Sequence, residues 1–255
     1  MGARLHCVDE GRGEAVVLVH AIGCDHRMWD SLAASLRPSL RVLRVDLRGH
    51  GASPAPAGEY SLDELAEDVK AVLDARGIER AHWVGLSLGG MIGQAFAIAW
   101  PQRLGRLVLA NTTSSYGAEG PQLWQARAKA VREGGMAAIA EVVMGRYFSD
   151  AFREREPGIV ERIRQRVLTT PPQGYIGCCA AIRDLDFTRD LVRIHARTLV
   201  IAGEKDAGTP PAMSEEIVRH IPGARLVVIA GAAHLSAVEM ADEFNLLVRD
   251  FLVSP

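Results

Sequence analysis

The chain has 255 residues, 48% hydrophobic and 24% charged, which is enough apolar material for one large core and excludes a disordered protein. Its 29 Lys and Arg against 31 Asp and Glu leave a formal charge of −2, so no global field draws it to nucleic acid or to an anionic membrane. The opening MGARLHCVDEGRGE has no apolar h-region, and no apolar run approaches the roughly 20 residues that span a bilayer, so we expect a cytoplasmic protein whose oligomeric state the sequence leaves open.

Cys7, Cys24, Cys178 and Cys179 lack zinc-ligand spacing and read as reduced structural thiols. Residues 16–19 (VVLV) are a short β-branched run that stops at His20-Ala21-Ile22-Gly23, as a buried parallel strand feeding a loop would. The same event recurs at 41–45, before Asp46-Leu47-Arg48-Gly49-His50-Gly51, and at 81–84, before Gly85-Leu86-Ser87. Between them Ser61 and Glu64 form a capping box for a helix whose apolar face is Leu62, Leu65, Val69, Val72 and Leu73 and which ends near Gly77. After Ser87 the glycines 89, 90 and 93 let a helix approach the sheet closely, at a cost in helix propensity. A strand at 107–109 follows. The strand signal then disappears, and helical patterns at 123–132, 136–148, 160–168 and 175–185 run on, punctuated by Pro157, Pro171 and Pro172. Strands return at 198–201 and 225–229. Six strands separated by helices predict an α/β protein with a doubly wound, mostly parallel sheet: residues 1–114 and 198–255 form the core and residues 115–197 an inserted helical cap.

Gly85-Leu86-Ser87-Leu88-Gly89 is G-x-S-x-G between a strand and a helix, where a sharp turn exposes the serine hydroxyl at the sheet edge. The bland alternative is a serine N-cap in a glycine turn. Two later loops argue against it: Asp206 lies just past one strand and His234 just past the next, so Ser, Asp and His fall in the chain order this turn uses. Chemistry assigns the roles. Ser87 attacks, His234 takes its proton and passes it to the leaving group, and Asp206 holds the tautomer and stabilises the imidazolium. The backbone N–H groups of Leu88 and Ile22 are the expected oxyanion donors. Glu204 is the runner-up acid, His20 and His50 are weaker base candidates, and Asp46 reads as a loop organiser. No H-E-x-x-H or paired-cysteine pattern suggests a metal, and no phosphate-loop lysine is present.

On these motifs, together with Asp46 to Ser53, Gly203-Glu204-Lys205-Asp206 and His234-Leu235-Ser236, the sequence resembles the α/β-hydrolase superfamily over nearly its whole length. Through Asn111-Thr112-Thr113, Trp124 with Arg127, Gly134 to Ala138, Arg146-Tyr147-Phe148, Thr170 to Tyr175 and Ala233 to Glu239 it is similar to 3-oxoadipate enol-lactonases of aromatic catabolism. It departs from them at His20-Ala21, where a serine-containing segment is common, at Tyr147, where tryptophan is common, and in a short segment before the first long strand. The resemblance implies a cofactor-free serine esterase or lactonase acting on a small molecule, with Trp124, Arg127, Arg146 and Tyr147 as substrate-binding residues of the cap. Trp124 and Arg127 are three apart on one helix, and an arginine fork suits a carboxylate; the alternative is a solvated helix face. General carboxylesterases, acyl-homoserine-type lactonases, C–C hydrolases, cofactor-free perhydrolases and ligand-binding receptors on a hydrolase fold remain as alternatives.

Overall fold

The computed structural model describes residues 4–253. Its strands are β1 (Cys7–Gly11), β2 (Ala15–Val19), β3 (Arg41–Val45), β4 (Ala81–Leu86), β5 (Leu104–Ala110), β6 (Thr198–Gly203) and β7 (Arg225–Ile229). They form one sheet in the order β1-β3-β2-β4-β5-β6-β7. Strands β2, β4 and β6 are buried at every position, so they read as apolar runs rather than alternating ones. Strand β1 was not among the six expected. Its sequence CVDEG offers two apolar residues, and it pairs antiparallel along the edge next to β3, where Arg41 bonds Asp9 across the ladder at 2.7 and 3.0 Å. An edge strand secured by such pairing needs no apolar run.

The helices are α1 (Asp30–Leu36), α2 (Leu62–Asp74), α3 (Leu88–Ala99), α4 (Gly120–Gly134), α5 (Ala137–Tyr147), α6 (Asp150–Arg155), α7 (Pro157–Thr169), α8 (Pro172–Arg183), α9 (Pro211–His220), α10 (Ser236–Glu239) and α11 (Ala241–Val253). The capping box forms: Glu64 N–H donates to Ser61 Oγ (3.2 Å) and Ser61 N–H to Glu64 Oε2 (2.9 Å). Helices α4, α7, α8 and α9 each carry proline in their first two positions, where its missing N–H costs nothing. The helices therefore start up to three residues before the apolar patterns that announced them. Helices α4 to α8 all lie between β5 and β6. Among the described residues no helix is long and apolar enough to cross a membrane.

Strand β2 is flanked by β3 on one side and β4 on the other, so the chain winds outward from β2 and then returns to its other edge. At such a switch point the loops leaving the two strands turn to opposite sides, the place where doubly wound sheets commonly bind ligands. Val19 pairs with Gly85 across the two strands, so the loops of His20 and Leu86 begin side by side. Glycine makes the next approach possible: a Cβ on Gly89 would lie 2.0 Å from the Val19 carbonyl oxygen, and one on Gly85 would lie 2.1 Å from that of Gly89. A second backbone contact joins the loop after β3 to α8, where a Cβ on Gly49 would lie 2.4 Å from the Gly174 Cα. Gly89→Ala is therefore expected to cost at least about 2 kcal/mol in urea denaturation, since a carbonyl cannot swing aside. Gly145→Ala, on the open face of α5, should instead stabilise by up to about 1 kcal/mol. A Gly89→Ala variant as stable as the parent would show that α3 is not pinned to β2.

Candidate active site

Ser87 sits at the β4–α3 junction with φ 56° and ψ −116°, a region that costs a non-glycine residue about 1–3 kcal/mol. Its backbone is over-determined: the N–H donates to Ala110 O (2.9 Å), and the carbonyl accepts from Gly90 N–H (2.9 Å), Met91 N–H (3.0 Å) and Thr112 Oγ1 (2.8 Å). The side chain makes no capping hydrogen bond to α3, which removes the bland alternative of a serine cap.

Asp206 follows β6 and His234 follows β7, and the two meet at 2.8 Å between Oδ2 and Nδ1. Asp206 is 2% and His234 6% exposed. The carboxylate also accepts from Gly208 N–H (2.8 Å), Thr209 N–H (3.0 Å), Thr209 Oγ1 (2.7 Å) and Asn111 Nδ2 (3.0 Å). Burial works to raise the Asp206 carboxyl, but the charge and hydrogen bond of His234, with the Thr209 and Asn111 donors, bring it down to about 2. An ionised Asp206 keeps the proton on His234 Nδ1 and leaves Nε2 as the basic nitrogen. Glu204 is exposed and spends its carboxylate on Gly231 N–H (2.7 Å), away from the histidine. Asn111, Thr209 and Glu239 were not assigned site roles from sequence. Asn111, at φ 44°, bonds Asp206 and the Ala233 carbonyl (3.3 Å) and accepts from Ser236 Oγ, so one side chain ties the acid loop to the histidine loop. Glu239 accepts from Ala233 N–H (2.9 Å) and Ser149 Oγ, joining that loop to the start of α6.

The loop after β2 is fixed peptide by peptide. The Ala21 carbonyl accepts from His20 Nδ1 (2.8 Å) and Cys24 N–H (3.1 Å). Every described peptide is trans, so the Ile22 N–H of that unit points the opposite way. In the next unit Gly23 N–H donates to His50 Nε2 (2.9 Å), and the Ile22 carbonyl accepts from the Tyr147 hydroxyl. His20 Nε2 likewise accepts from Leu47 N–H (2.9 Å). Both histidines thus accept at Nε2 and donate at Nδ1, which only neutral imidazole can do. Burial pushes both below the ordinary range, His50 to about 3 with His20 contributing. They are loop braces rather than bases. Among the described residues, neither the Ile22 nor the Leu88 amide is engaged in a turn or cap bond.

Asp46 organises its loop by accepting from His26 N–H (2.7 Å), His26 Nδ1 (2.8 Å) and Ala52 N–H (2.9 Å). His6, His26 and Asp46 are the one described cluster with metal-ligand atoms within 4.8 Å of one another, but both Asp46 oxygens are already committed to that loop.

From α4, buried Trp124 lies under the Arg127 guanidinium (5.2 Å to the ring), and Arg127 Nη1 donates to Tyr175 Oη at 3.4 Å. Arg146, from α5, is half-buried like Arg127, and neither meets a carboxylate among the described residues. Burial lowers Arg146, and the like charge of Arg127 lowers it further. Tyr116 senses the same group: burial and Asp206 raise its phenol, and Arg127 and Arg146 oppose them. The arginines, Tyr116, Tyr175 and the acid of the His–Asp pair thus share one electrostatic neighbourhood. Tyr147 is buried and stacks on His234, with ring centroids 5.6 Å apart and planes 23° apart.

A serine held in a strained strand-to-helix elbow, with a His–Asp pair on two later loops, is the arrangement of a hydrolase fold, and the α/β hydrolase fold family model matches residues 14–240. The chain belongs to that family. It is 38% identical to 3-oxoadipate enol-lactonase 2 of Acinetobacter baylyi over 91% of this chain and 85% of that protein. Among solved structures it superposes on a hydrolase from Pseudomonas aeruginosa PA01 with a TM-score of 0.95 at 42% identity, covering 99% of this chain and 96% of that one. It superposes on the enol-lactonase from Burkholderia xenovorans LB400 with a TM-score of 0.94 at 38% identity, covering 98% and 96%.

The neutral histidines set an acid dependence. Unfolded histidine takes up its proton near 6.5, whereas folded His50 does so only at about 3, so the stability it contributes is complete above pH 6.5 and is lost as pH falls toward 3. We expect the unfolding free energy to drop between pH 6 and 4 by up to about 1.4 kcal/mol per pH unit per buried histidine. His50→Gln, whose amide oxygen can still accept the Gly23 N–H, should flatten that slope. An unchanged slope would show that His50 does not carry it.

Proposed function

We propose that the protein hydrolyses a small lactone or ester bearing a carboxylate through an acyl-enzyme on Ser87, and that 3-oxoadipate enol-lactone is its substrate. Helices α4 to α8, within residues 115–197, act as the cap over the catalytic core. The observation that carries the substrate class is the pair of half-buried arginines, Arg127 and Arg146, with no carboxylate partner among the described residues. A buried guanidinium without an anion is costly, and a bidentate carboxylate is the ligand it fits. The enol-lactonase names of two relatives support the same reading.

In this reading His234 Nε2 takes the Ser87 proton as Oγ adds to the lactone carbonyl, and the oxyanion is received by the Ile22 and Leu88 amides. Collapse breaks the ring C–O bond. The departing oxygen leaves as an enolate, a better leaving group than an alkoxide, and takes the proton held by His234 to become the ketone, which returns His234 to its neutral form. Water, deprotonated by His234, then adds to the acyl-enzyme and releases the second carboxylate with Ser87 regenerated. Asp206 stays ionised throughout and stabilises the imidazolium.

Turnover of the enol-lactone by wild type, with Ser87→Ala lowered by about 10³-fold or more and a fluorophosphonate adduct on Ser87, is the expected result. Near-normal turnover by Ser87→Ala sinks the nucleophile assignment. Asp206→Asn should cut kcat severely and Glu204→Gln should not. Arg127→Ala or Arg146→Ala is expected to raise KM for the carboxylated lactone about 30-fold while leaving a neutral p-nitrophenyl ester nearly unaffected. Equal effects on both substrates remove the case for an anionic substrate and leave a serine hydrolase.

A further inference from the structure

We propose that Tyr147 is a positioning residue for the oxyanion: its hydroxyl latches the cap onto the loop that presents the Ile22 amide, and its ring fixes the plane of His234. The inference rests on the Ser87 hydrolysis proposed above.

The Ile22 N–H belongs to the first of the two peptide units that meet at its Cα, and the second holds the Cα about which the first turns. The first is anchored by its oxygen, on His20 Nδ1 and Cys24 N–H. The second is gripped at both ends, with Gly23 N–H on His50 Nε2 from the core and the Ile22 carbonyl under the Tyr147 hydroxyl from α5. With the hydroxyl removed, that carbonyl loses its cap-side donor and the unit is free to pivot on its His50 end. Such a pivot rotates ψ at Ile22 and loosens the adjacent amide. Rotation matters because an oxyanion donor works only when it is aimed beforehand at the place where charge develops.

Tyr147 reaches the base from two directions. Its carbonyl accepts from Leu235 N–H (2.9 Å), the residue after His234, and its ring lies 5.6 Å from the imidazole at 23°. One cap residue therefore touches the oxyanion loop, the histidine loop and the histidine face. Burial keeps the phenol protonated far above its ordinary range, so the hydroxyl is a permanent donor and takes no part in proton transfer.

The test uses hydrolysis of neutral p-nitrophenyl acetate, which leaves the arginines out of account, with Ser87→Ala as the reference for the reaction itself. Tyr147→Phe keeps the ring and loses the hydroxyl. The expected result is a fall in kcat of about 10- to 100-fold with KM nearly unchanged, and a rise of similar size in Ki for phenylboronic acid, whose serine adduct places an oxygen in the oxyanion site. Placing para-aminophenylalanine at position 147 returns a donor and should recover most of the loss. Tyr147→Ala, which also uncovers His234, should in addition move the pH midpoint of kcat/KM, whereas Tyr147→Phe should not. If Phe at this position does not yield folded protein, para-fluorophenylalanine at position 147 fills the space of the hydroxyl without a donor and is read by the same kcat and Ki criteria. A kcat within about threefold of wild type, a loss confined to KM, or an unchanged boronate Ki overturns the inference. If Ser87→Ala abolishes turnover while Tyr147→Phe does not impair it, only the positioning role falls; if Ser87→Ala remains active, the hydrolase reading falls first.

Discussion

The approach of the first turn of α3 to the carboxyl end of β2 is the constraint on which the rest of the site depends. No side chain fits between Gly89 and the Val19 carbonyl, so helix and strand touch through backbone alone. That contact brings the amides after Ser87 next to the loop that begins at His20, and it forces the chain at Ser87 into an unfavourable conformation held by four hydrogen bonds. The strain is sustained because β5, the loop after it and α3 each supply a partner for those bonds, and none can relax without the others.

Three buried histidines around this contact show how partner chemistry sets function. His20 and His50 hydrogen-bond only to backbone groups, accept at Nε2, and are pressed toward neutrality by burial. His234 faces an ionised carboxylate at Nδ1, which supports a transient positive charge that the other two sites would resist. The residue type is the same; the atoms within 3 Å of it decide whether the ring is held neutral by backbone groups or set against a carboxylate. Asp46 and Asp206 each accept a histidine Nδ1 and backbone amides; Asp206 differs in being tied by Asn111 to the histidine loop.

Strands β2, β4 and β6 were legible because burial on both faces leaves an apolar run in the sequence, whereas β7, a half-exposed edge strand, was legible through its β-branched Val227, Val228 and Ile229; runs at 41–45 and 225–229 agree with the observed bounds. Strand β1 and helix α6 were not, since each is short and drawn into place by neighbours rather than by its own pattern. Helix α11 does carry a pattern at helical spacing, Phe244, Val248, Phe251 and Leu252. At the site, loop order pointed to Ser87, Asp206 and His234, but the choice of Asp206 over Glu204 needed burial, since both follow one strand within three residues. Asn111 and Tyr147 show the limit most clearly. Asn111 bonds partners 95 and 122 residues away, and Tyr147 bonds one 125 residues away, so no local spacing encodes those roles.

The backbone contact between Gly49 and Gly174 bears on how such an enzyme changes over evolutionary time. Where helix α8 meets the core loop, main chain rests on main chain, with no side chain available to be exchanged. A seat of that kind is blind to the residues that line the inner surface of α4, α5 and α8. Those residues can be replaced one after another while α8 keeps its seat on the loop after β3. Change in the side chains of these helices and constancy of their seat are thereby uncoupled, and a transplanted helical segment would keep its register only if both glycines travelled together.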